Sequence, residues 1–248
     1  MRIAVLSDIH GNLPALRAVQ ADLARRGVDQ VINCGDILSG PLWPRETGDA
    51  LMALGWPTIA GNHERQLLAC ARRPGGASDQ HAFEHSTSVQ RDWLAALPAT
   101  LEPTPGVFVC HGQPGDDREY LLETVDSAGS RPATGAEVLQ RLDDTAGAGA
   151  SLLLCGHSHL PRMAQVGGTL CVNPGSVGLP AYDDDHIAFH VHQTGSPHAR
   201  YAVCERVDTG EGAGWTVAHI AVAYDWHAAS EQAARNGAHD WARWLATG

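Results

Sequence analysis

The protein has 248 residues, 44% of them hydrophobic and 18% charged, which is long enough to bury a sizeable core. Its 17 basic residues, set against 28 acidic ones for a net charge of −11, are all arginines. The absence of lysine excludes a Walker-type P-loop, a Schiff-base lysine and the strand lysine of kinases. The acidic balance makes nucleic acid an unfavoured partner, because non-specific binding depends on neutralising phosphates.

The six cysteines are scattered and form no Cys-x-x-Cys pair. Three of them end apolar runs, as Cys34 and Cys155 do, which favours buried and reduced thiols. Reduced thiols are typical of the cytoplasm, and we expect the protein there. Asp8 interrupts the first apolar run before it reaches the length of a signal peptide. No run is long enough to span a membrane, so no membrane partner is expected.

Strands and helices alternate in the first sixty residues. Hydrophobic periodicity predicts strands at 3–6, 30–34 and 57–60, and helices at 13–26 and 46–54. This order predicts a parallel or mixed sheet with helices on its faces.

The middle of the chain is more polar. A helix is predicted over 78–97 and a strand over 107–110. The polar, acidic segment 112–135 is interpreted as a lid-like insertion, and a helix at 136–142 precedes a strand at 151–155.

The second half shifts towards antiparallel β-structure. The predicted strands are 162–166, 169–172, 187–192, 200–207 and 216–222, and a last helix covers 225–245. Neither a repeat nor a clear linker is visible, so the sequence predicts a single α/β domain over 1–248.

Ionisable side chains follow five separate apolar runs. In α/β sheets the loops beyond the carboxyl ends of the strands gather at one edge, where binding sites form. Eight potential ligands would therefore converge, a mixture of carboxylate, imidazole and one amide that suits Mn, Fe, Zn, Co or Ni better than Ca. Any one of these histidines alone is more simply a hydrogen-bonded polar residue, but five coincidences at strand ends favour a metal site. The eight residues are Asp8, His10, Asp36, Asn62, His63, His111, His157 and His159.

These residues stand in a set of motifs that resembles the signature of calcineurin-like metallophosphoesterases, in particular the small bacterial and archaeal phosphodiesterase-type members. The resemblance covers residues 1 to about 180. The matching motifs are Asp8-x-His10, Gly35-Asp36, Gly61-Asn62-His63-Glu64, His111-Gly112, Gly156-His157-Ser158-His159 and Asn173-Pro174-Gly175-Ser176. Ser158 stands where threonine is commoner, which affects no ligand.

The resemblance implies a four-layered α/β sandwich of mixed β-sheets flanked by helices, with a dinuclear metal site in the strand-end loops. It assigns Asp36 as the ligand that bridges two divalent transition-metal ions, of which manganese is favoured. The first ion would be held by Asp8, His10, Asp36 and His159, and the second by Asp36, Asn62, His111 and His157.

The family roles also predict a mechanism. A hydroxide shared by the two metals would attack phosphorus in line with the leaving oxygen. His63, left without a metal, would be the catalytic residue that protonates the leaving group or stabilises charge on phosphorus. Glu64 would either orient that imidazole or be an exposed carboxylate at a helix start.

The substrate is less defined than the centre. We expect a small phosphorylated compound such as a phosphodiester or a nucleotide, with a dinucleoside polyphosphate or a phosphomonoester as alternatives. Nuclease activity or a catalytically silent scaffold is less favoured, and a homodimer is the oligomeric state that the family suggests. Arg65 and Arg118 are weak candidates for substrate binding, and Trp43 and Tyr120 for either stacking or packing.

Three further patterns are interpreted as structural features. His190 and His192 are expected to be ordinary strand histidines, and Asp183-Asp184-Asp185 a solvated acidic turn. The C-terminal tryptophans Trp241 and Trp244 are expected in core or interface packing.

Overall fold

Two mixed β-sheets face each other across an apolar core, and helices cover their outer faces. The computed structural model describes residues 1–142, 145, 147–208, 210 and 213–248. The strands are β1 (Arg2–Leu6), β2 (Gln30–Asn33), β3 (Leu101–Thr104), β4 (Val107–Val109), β5 (Glu123–Asp126), β6 (Gly129–Pro132), β7 (Leu152–Leu154), β8 (Pro161–Val166), β9 (Thr169–Pro174), β10 (Ala181–Asp184), β11 (His190–Gln193), β12 (Ala199–Asp208) and β13 (Ala213–Val222). The helices are α1 (Leu13–Leu23), α2 (Pro44–Leu54), α3 (Asn62–Ala69), α4 (Ala77–His85), α5 (Ser88–Ala95), α6 (Gly135–Leu142), α7 (Trp226–Arg235) and α8 (His239–Thr247).

The first sheet has the order β13-β12-β1-β2 and the second β3-β4-β7-β9-β8. β1 and β2 are parallel, as are β4, β7 and β9, while the remaining strands of the two sheets run antiparallel to their neighbours. Parallel pairing brings the carboxyl ends of β1, β2, β4 and β7 to one edge of the sandwich. Two hairpins, β5-β6 and β10-β11, lie outside these sheets.

The alternation of side chains along each strand builds the layers. On β1, Ile3 and Val5 belong to the core between the sheets, whereas Ala4 and Leu6 pack towards α1. On β7, Leu153 joins the core under α6 while its neighbours face the first sheet. The predicted four-layered α/β sandwich of mixed sheets is thereby confirmed.

Several predicted boundaries are wrong for local reasons. Residues 57–60 form only a one-residue bridge between Thr58 and Asn33. The helix predicted at 78–97 is two helices, because Thr87 caps the second through a reciprocal bond pair with Gln90. The last helix also divides in two, at Gly237, whose φ of 79° ends α7.

Other elements were absent from the prediction. Helix α3 and strand β3 were not predicted, and the segment 112–135 contains the hairpin β5-β6 as well as loop. Asp183 and Asp184 lie in β10, paired with β11, so the predicted acidic turn is wrong for these two residues. Within the described residues, no helix is both long and apolar enough to cross a membrane.

Shortening a side chain between the two sheets is expected to cost much of the stability. Ile32 is fully buried in that core, and Ile32→Ala should lower the free energy of unfolding by about 2–5 kcal/mol, through lost burial and the cavity left behind. Urea denaturation measures the change. Val89→Ala, at a position that is 62% exposed, is the control and should change stability by less than about 0.5 kcal/mol. Equal effects of the two variants would contradict the layered core.

Candidate metal centre

The loops that leave four parallel strands carry six of the seven predicted metal ligands, all except Asn62. Asp8 and His10 follow β1, Asp36 follows β2, His111 follows β4, and the His157–His159 stretch follows β7. All of these side chains except that of His157 are buried. The convergence expected from the sequence is therefore present at the carboxyl edge of both sheets.

Backbone strain is concentrated at the same positions. Among the described residues, six non-glycine residues have a positive φ, and five of the six are predicted ligands. A left-handed conformation costs a non-glycine residue about 1–2 kcal/mol, so it persists where the surroundings impose it, often at a functional site. These five are Asp8 (56°), His10 (52°), Asp36 (56°), His157 (68°) and His159 (58°).

Two groups of side chains could each hold an ion. In the first, formed by Asp8, His10 and His159, the potential ligand atoms lie within 4.8 Å of one another. The second group, Asp36, His111 and His157, meets the same criterion.

The two groups adjoin. The Nε2 atom of His111 lies 3.1 Å from the Asp36 Oδ2 atom of its own group and 4.0 Å from the Asp8 Oδ1 atom of the other. Within the first group, the Nε2 atom of His159 lies 3.4 Å from Asp8 Oδ1 and 3.1 Å from His10 Nε2. The centre is thus a pair of neighbouring acidic and imidazole clusters.

Backbone carbonyls fix the orientation of the imidazoles. The Nδ1 atoms of His10, His111 and His159 each lie 2.7 Å from a carbonyl oxygen, and the Nε2 atom of His157 lies 2.8 Å from one. A carbonyl only accepts, so the contacting ring nitrogen donates and a neutral ring keeps its lone pair on the other nitrogen. In its neutral form each histidine would thereby present a nitrogen lone pair to the centre, as metal-binding histidines do. The accepting carbonyls are those of Ser39, Cys34, Leu179 and, for His157, Arg118.

The polar atoms left without partners support metal binding. Asp8 Oδ1, Asn62 Oδ1 and His111 Nε2 are buried and make no hydrogen bond to a described residue. Buried polar atoms are normally hydrogen-bonded, and an unpaired one is costly. The carboxylate, amide and imidazole donors fit divalent transition metals.

The electrostatics of the centre are dominated by its carboxylates. Burial would raise the pKa of Asp8 and of Asp36, but the charges of neighbouring imidazoles outweigh it and lower both pKa values. Burial and repulsion from His159 lower the pKa of His10 to about 3. The charge of Asp36, acting against burial, raises the pKa of His111 to about 10. The two carboxylates are thus strongly anionic, and a divalent cation would compensate for their charge.

His63 lies beside both groups. Its backbone N–H donates to Asp36 Oδ1 at 3.0 Å, and its ring is 5.3 Å from the ring of His10. The Nδ1 atom lies 2.7 Å from Asp79 Oδ1 on α4. Although burial opposes protonation, the charges of Asp36 and Asp79 raise the pKa of His63 to about 9. The protonated imidazole can therefore present an N–H to the centre.

Glu64 has neither of the roles considered from the sequence. Its carboxylate is buried and accepts the backbone N–H groups of Asp36, Ile37 and Gly61 at 2.8–2.9 Å. Glu64 therefore joins the loop after β2 to the start of α3, and Asp79 contacts the His63 imidazole instead. A glycine is required at position 61, immediately before α3, because a Cβ there would collide with the Asp36 carboxylate and the His111 ring.

Asn62 is held by the helix that begins with it. Its Nδ2 group donates to Gln66 Oε1 at 3.3 Å, one turn along α3, which leaves the unpartnered Oδ1 free to coordinate.

A cavity of about 420 Å³ opens over the centre. Arg65 and Arg118 do not line it. Arg65 pairs with Asp117, and both arginines line a separate surface depression that reaches His111. Trp43 packs among the C-terminal helices and is likewise outside the cavity lining. Trp241 and Trp244 pack in that helical cluster as predicted, but they also line the cavity, so the packing interpretation was incomplete.

Two tyrosines support the His157 loop, and only one of them was singled out from the sequence. Tyr182 OH donates to the backbone carbonyl of His157 at 3.2 Å and lies 2.8 Å from Tyr120 OH. Tyr120 is buried with its ring 4.8 Å from the His157 ring, so it packs rather than stacks a ligand. His190 and His192 are the hydrogen-bond partners of these two hydroxyls, which agrees with the structural interpretation.

Comparison with known proteins agrees with this geometry. The sequence profile of the calcineurin-like phosphoesterase superfamily domain matches residues 1–196. The chain is also 25% identical to an uncharacterized protein, MJ0912, of Methanocaldococcus jannaschii, over 96% of this chain and 94% of that protein.

Two solved structures share the fold over nearly the whole length. A metallophosphoesterase from Sphaerobacter thermophilus is 24% identical with a TM-score of 0.72, covering 99% of this chain and 98% of its own. The hypothetical protein PH1004 from Pyrococcus horikoshii is 20% identical with a TM-score of 0.71, covering 100% of this chain and 98% of its own.

Removing the charge of one carboxylate should remove metal. Asp36→Asn is expected to retain less Mn²⁺ per chain than the parent protein after equilibration and desalting, because Asp36 supplies a charged donor within its group. Elemental analysis gives the stoichiometry. Added Mn²⁺ should also raise the unfolding temperature less in the variant, since a ligand stabilises only the state that binds it. The control is Asp92→Asn on the exposed face of α5, and equal metal retention by the two variants would contradict the site.

Proposed function

The chain belongs to the calcineurin-like phosphoesterase superfamily, and on that premise we propose that it is a metal-dependent hydrolase of small phosphate esters. One observation carries the proposal: two adjoining clusters of possible metal ligands lie next to an imidazole that belongs to neither cluster. A catalytically silent scaffold would be expected to lack some of the ligands or His63, and all eight positions are filled here.

We propose that Asp8, His10 and His159 hold one divalent ion and that Asn62, His111 and His157 hold another, with Asp36 shared between them. Bound there, the two cations would neutralise phosphate oxygens and lower the pKa of a water molecule. The protein holds their ligands in place before binding, through the carbonyls that fix the imidazoles.

The role proposed for His63 is to donate a proton to the leaving oxygen. The Asp79 carboxylate accepts from Nδ1 and keeps the ring protonated, so Nε2 can present the second N–H to the substrate. Asp79 is therefore a positioning residue that acts through His63.

Manganese is proposed as the resident metal. The donor set combines carboxylate and amide oxygens with imidazole nitrogen, which suits this ion. We also propose a cytoplasmic location, because all six cysteines are free and five of them are buried.

The proposed substrate is small. The net charge of −11 opposes the approach of a polyanion such as nucleic acid, and the cavity of about 420 Å³ is of the size that takes a single small ligand.

Turnover of chromogenic esters tests the proposal directly. The Mn²⁺-loaded protein should release p-nitrophenol from bis(p-nitrophenyl) phosphate or p-nitrophenyl phosphate, and a chelator should stop the release. Absence of turnover with a full complement of metal would contradict the proposed function.

Loss of His63 should impair turnover and leave the metal in place. His63→Ala is expected to lower kcat by about 10²–10⁴-fold, the usual contribution of a general acid, with unchanged Mn²⁺ stoichiometry. The control is His85→Ala, an exposed histidine on α4. Full activity of His63→Ala would exclude His63 from the mechanism.

Neutralising Asp79 should change the catalytic rate and its pH dependence through the effect on His63. We expect Asp79→Asn to lower kcat by a smaller factor than His63→Ala, and to lower the upper apparent pKa of the kcat profile, because the carboxylate stabilises the protonated ring. Asp79→Glu should restore part of both. A pH profile unchanged by Asp79→Asn would show that the contact is only structural.

A further inference from the structure

The cavity over the candidate metal centre has two chemically different sides. One side is formed by the ligands and His63. The other is lined by residues of β10 and α8, among which three are acidic and two are tryptophans, namely Asp183, Asp184, Asp240, Trp241 and Trp244. No arginine stands among the described residues that line the cavity, and the sequence contains no lysine.

The carboxylates on β10 are available to a ligand. Neither Asp183 nor Asp184 forms a salt bridge with a described residue, and the Asp184 Oδ1 atom accepts the backbone N–H of His186. The ring of His186 contacts Glu119, and not the carboxylates of β10, with its Nε2 atom 3.0 Å from Glu119 Oε1. Asp240 differs, because Arg243 lies 3.6 Å away and partly compensates for its charge.

The indole of Trp241 stands next to the centre. Its ring is 5.7 Å from the ring of His10, at an interplanar angle of 82°. The loop after β2 fixes the ring in place, since a Cβ at Gly40 would lie 3.1 Å from two ring carbons. A group joined to a phosphate ester by one or two carbons would therefore meet this ring as soon as the phosphate reached the ligands.

An aromatic face next to carboxylates attracts a cation. Cations bind over indole rings with a gain that grows as water is excluded, and quaternary ammonium groups are recognised in this way. The same cavity also contains the buried and unpartnered Asn62 Oδ1, which marks its other side as a ligand-binding surface.

We propose that the substrate is a small phosphate ester of an amino alcohol, whose ammonium or quaternary ammonium group lies beside Trp241, on the side of the cavity where Asp183 and Asp184 lie. This assignment rests on the proposed function, since it places the phosphate at the metal centre. Hydrolysis would add water across the P–O bond, so that phosphorus gains OH and the released amino alcohol gains the proton.

The negative charge on the β10 and α8 side of the cavity disfavours the binding of phosphate compounds that carry further anionic groups. A second phosphate group, as in a dinucleoside polyphosphate, would face carboxylates where a polyphosphate site normally supplies arginine or lysine. An uncharged alcohol group would occupy the same part of the cavity but would make no favourable electrostatic contact with its acidic residues.

Equilibrium binding to the Mn²⁺-loaded His63→Ala variant, which is expected to keep its metal and to hydrolyse esters slowly, tests the assignment without consuming the ligand. The probes are phosphocholine and its uncharged isostere 3,3-dimethylbutyl phosphate, which differ only in the atom that carries the charge. Calorimetry should give a Kd for phosphocholine lower by about tenfold, the combined effect expected of a cation–π contact and partly exposed ion pairs. Equal affinities, or tighter binding of the isostere, would overturn the assignment.

Variants locate the source of the preference. The double variant Asp183→Asn/Asp184→Asn should lower the ratio of the two Kd values towards one, leaving the part of the preference that comes from Trp241, whatever it does to the absolute affinities. Asp185→Asn is the matched control, because Asp185 is the exposed neighbour outside the cavity lining, and it should keep the ratio. A ratio that survives the double variant would overturn the role of β10.

Two further measurements, ester hydrolysis and binding to lipid vesicles, distinguish the possible outcomes. A protein that hydrolyses bis(p-nitrophenyl) phosphate but shows no preference for phosphocholine would contradict only this inference. A clear preference without hydrolysis of any ester would contradict only the proposed function. Co-sedimentation with phosphatidylcholine vesicles would overturn the assignment of a small free ester in favour of a lipid headgroup.

Discussion

Two carboxylates buried at the junction of two sheets are the constraint on which the rest of the structure depends. Asp8 and Asp36 are almost completely inaccessible, and burying a carboxylate costs several kcal/mol unless neighbouring charges compensate it, which here falls to the imidazoles around them. Both residues also sit in left-handed backbone conformations. Such an arrangement is costly for folding on its own, so the sandwich has to supply the missing free energy through its apolar layers, and bound cations would supply more.

The loops keep these conformations because hydrogen bonds connect them to one another. Glu64 accepts three backbone N–H groups from two different loops, and Asp8 Oδ2 accepts the N–H of His157 from the opposite sheet at 3.2 Å. Burial and the charge of Asp36 raise the pKa of Glu64 to about 7, and its three N–H donors favour the ionised form that holds the loops. The position of each ligand is therefore set jointly by both sheets, and not by its own loop alone.

The convergence of the possible metal ligands could be predicted from the sequence because most of these residues directly follow apolar runs. Asp or His placed just beyond a strand at the edge of an α/β sheet points to a binding site, and here the pattern repeats. Helix α3 escaped prediction because its first five residues are polar and hide the apolar period. Its N-terminal capping by Glu64 becomes visible only through contacts with the loop after β2. The contact between Asp79 and His63 could not be predicted from the sequence, because Asp79 lies 16 residues away on another helix and no motif spacing links the two residues.

Substrate recognition could not be predicted for a related reason. Arg65 directly follows a motif in the sequence, but its side chain pairs with Asp117 away from the cavity. The residues that do face the cavity opposite the ligands come from β10 and α8, and α8 lies beyond the region matched by the family profile. Residues that share an ion must meet fixed geometric demands and therefore leave a pattern in sequence, whereas residues that contact an organic group meet no such common demand. The chemistry of the β10 and α8 side therefore has to be read from the folded protein, where two half-buried tryptophans and two acidic residues without a salt bridge to any described residue line the same cavity.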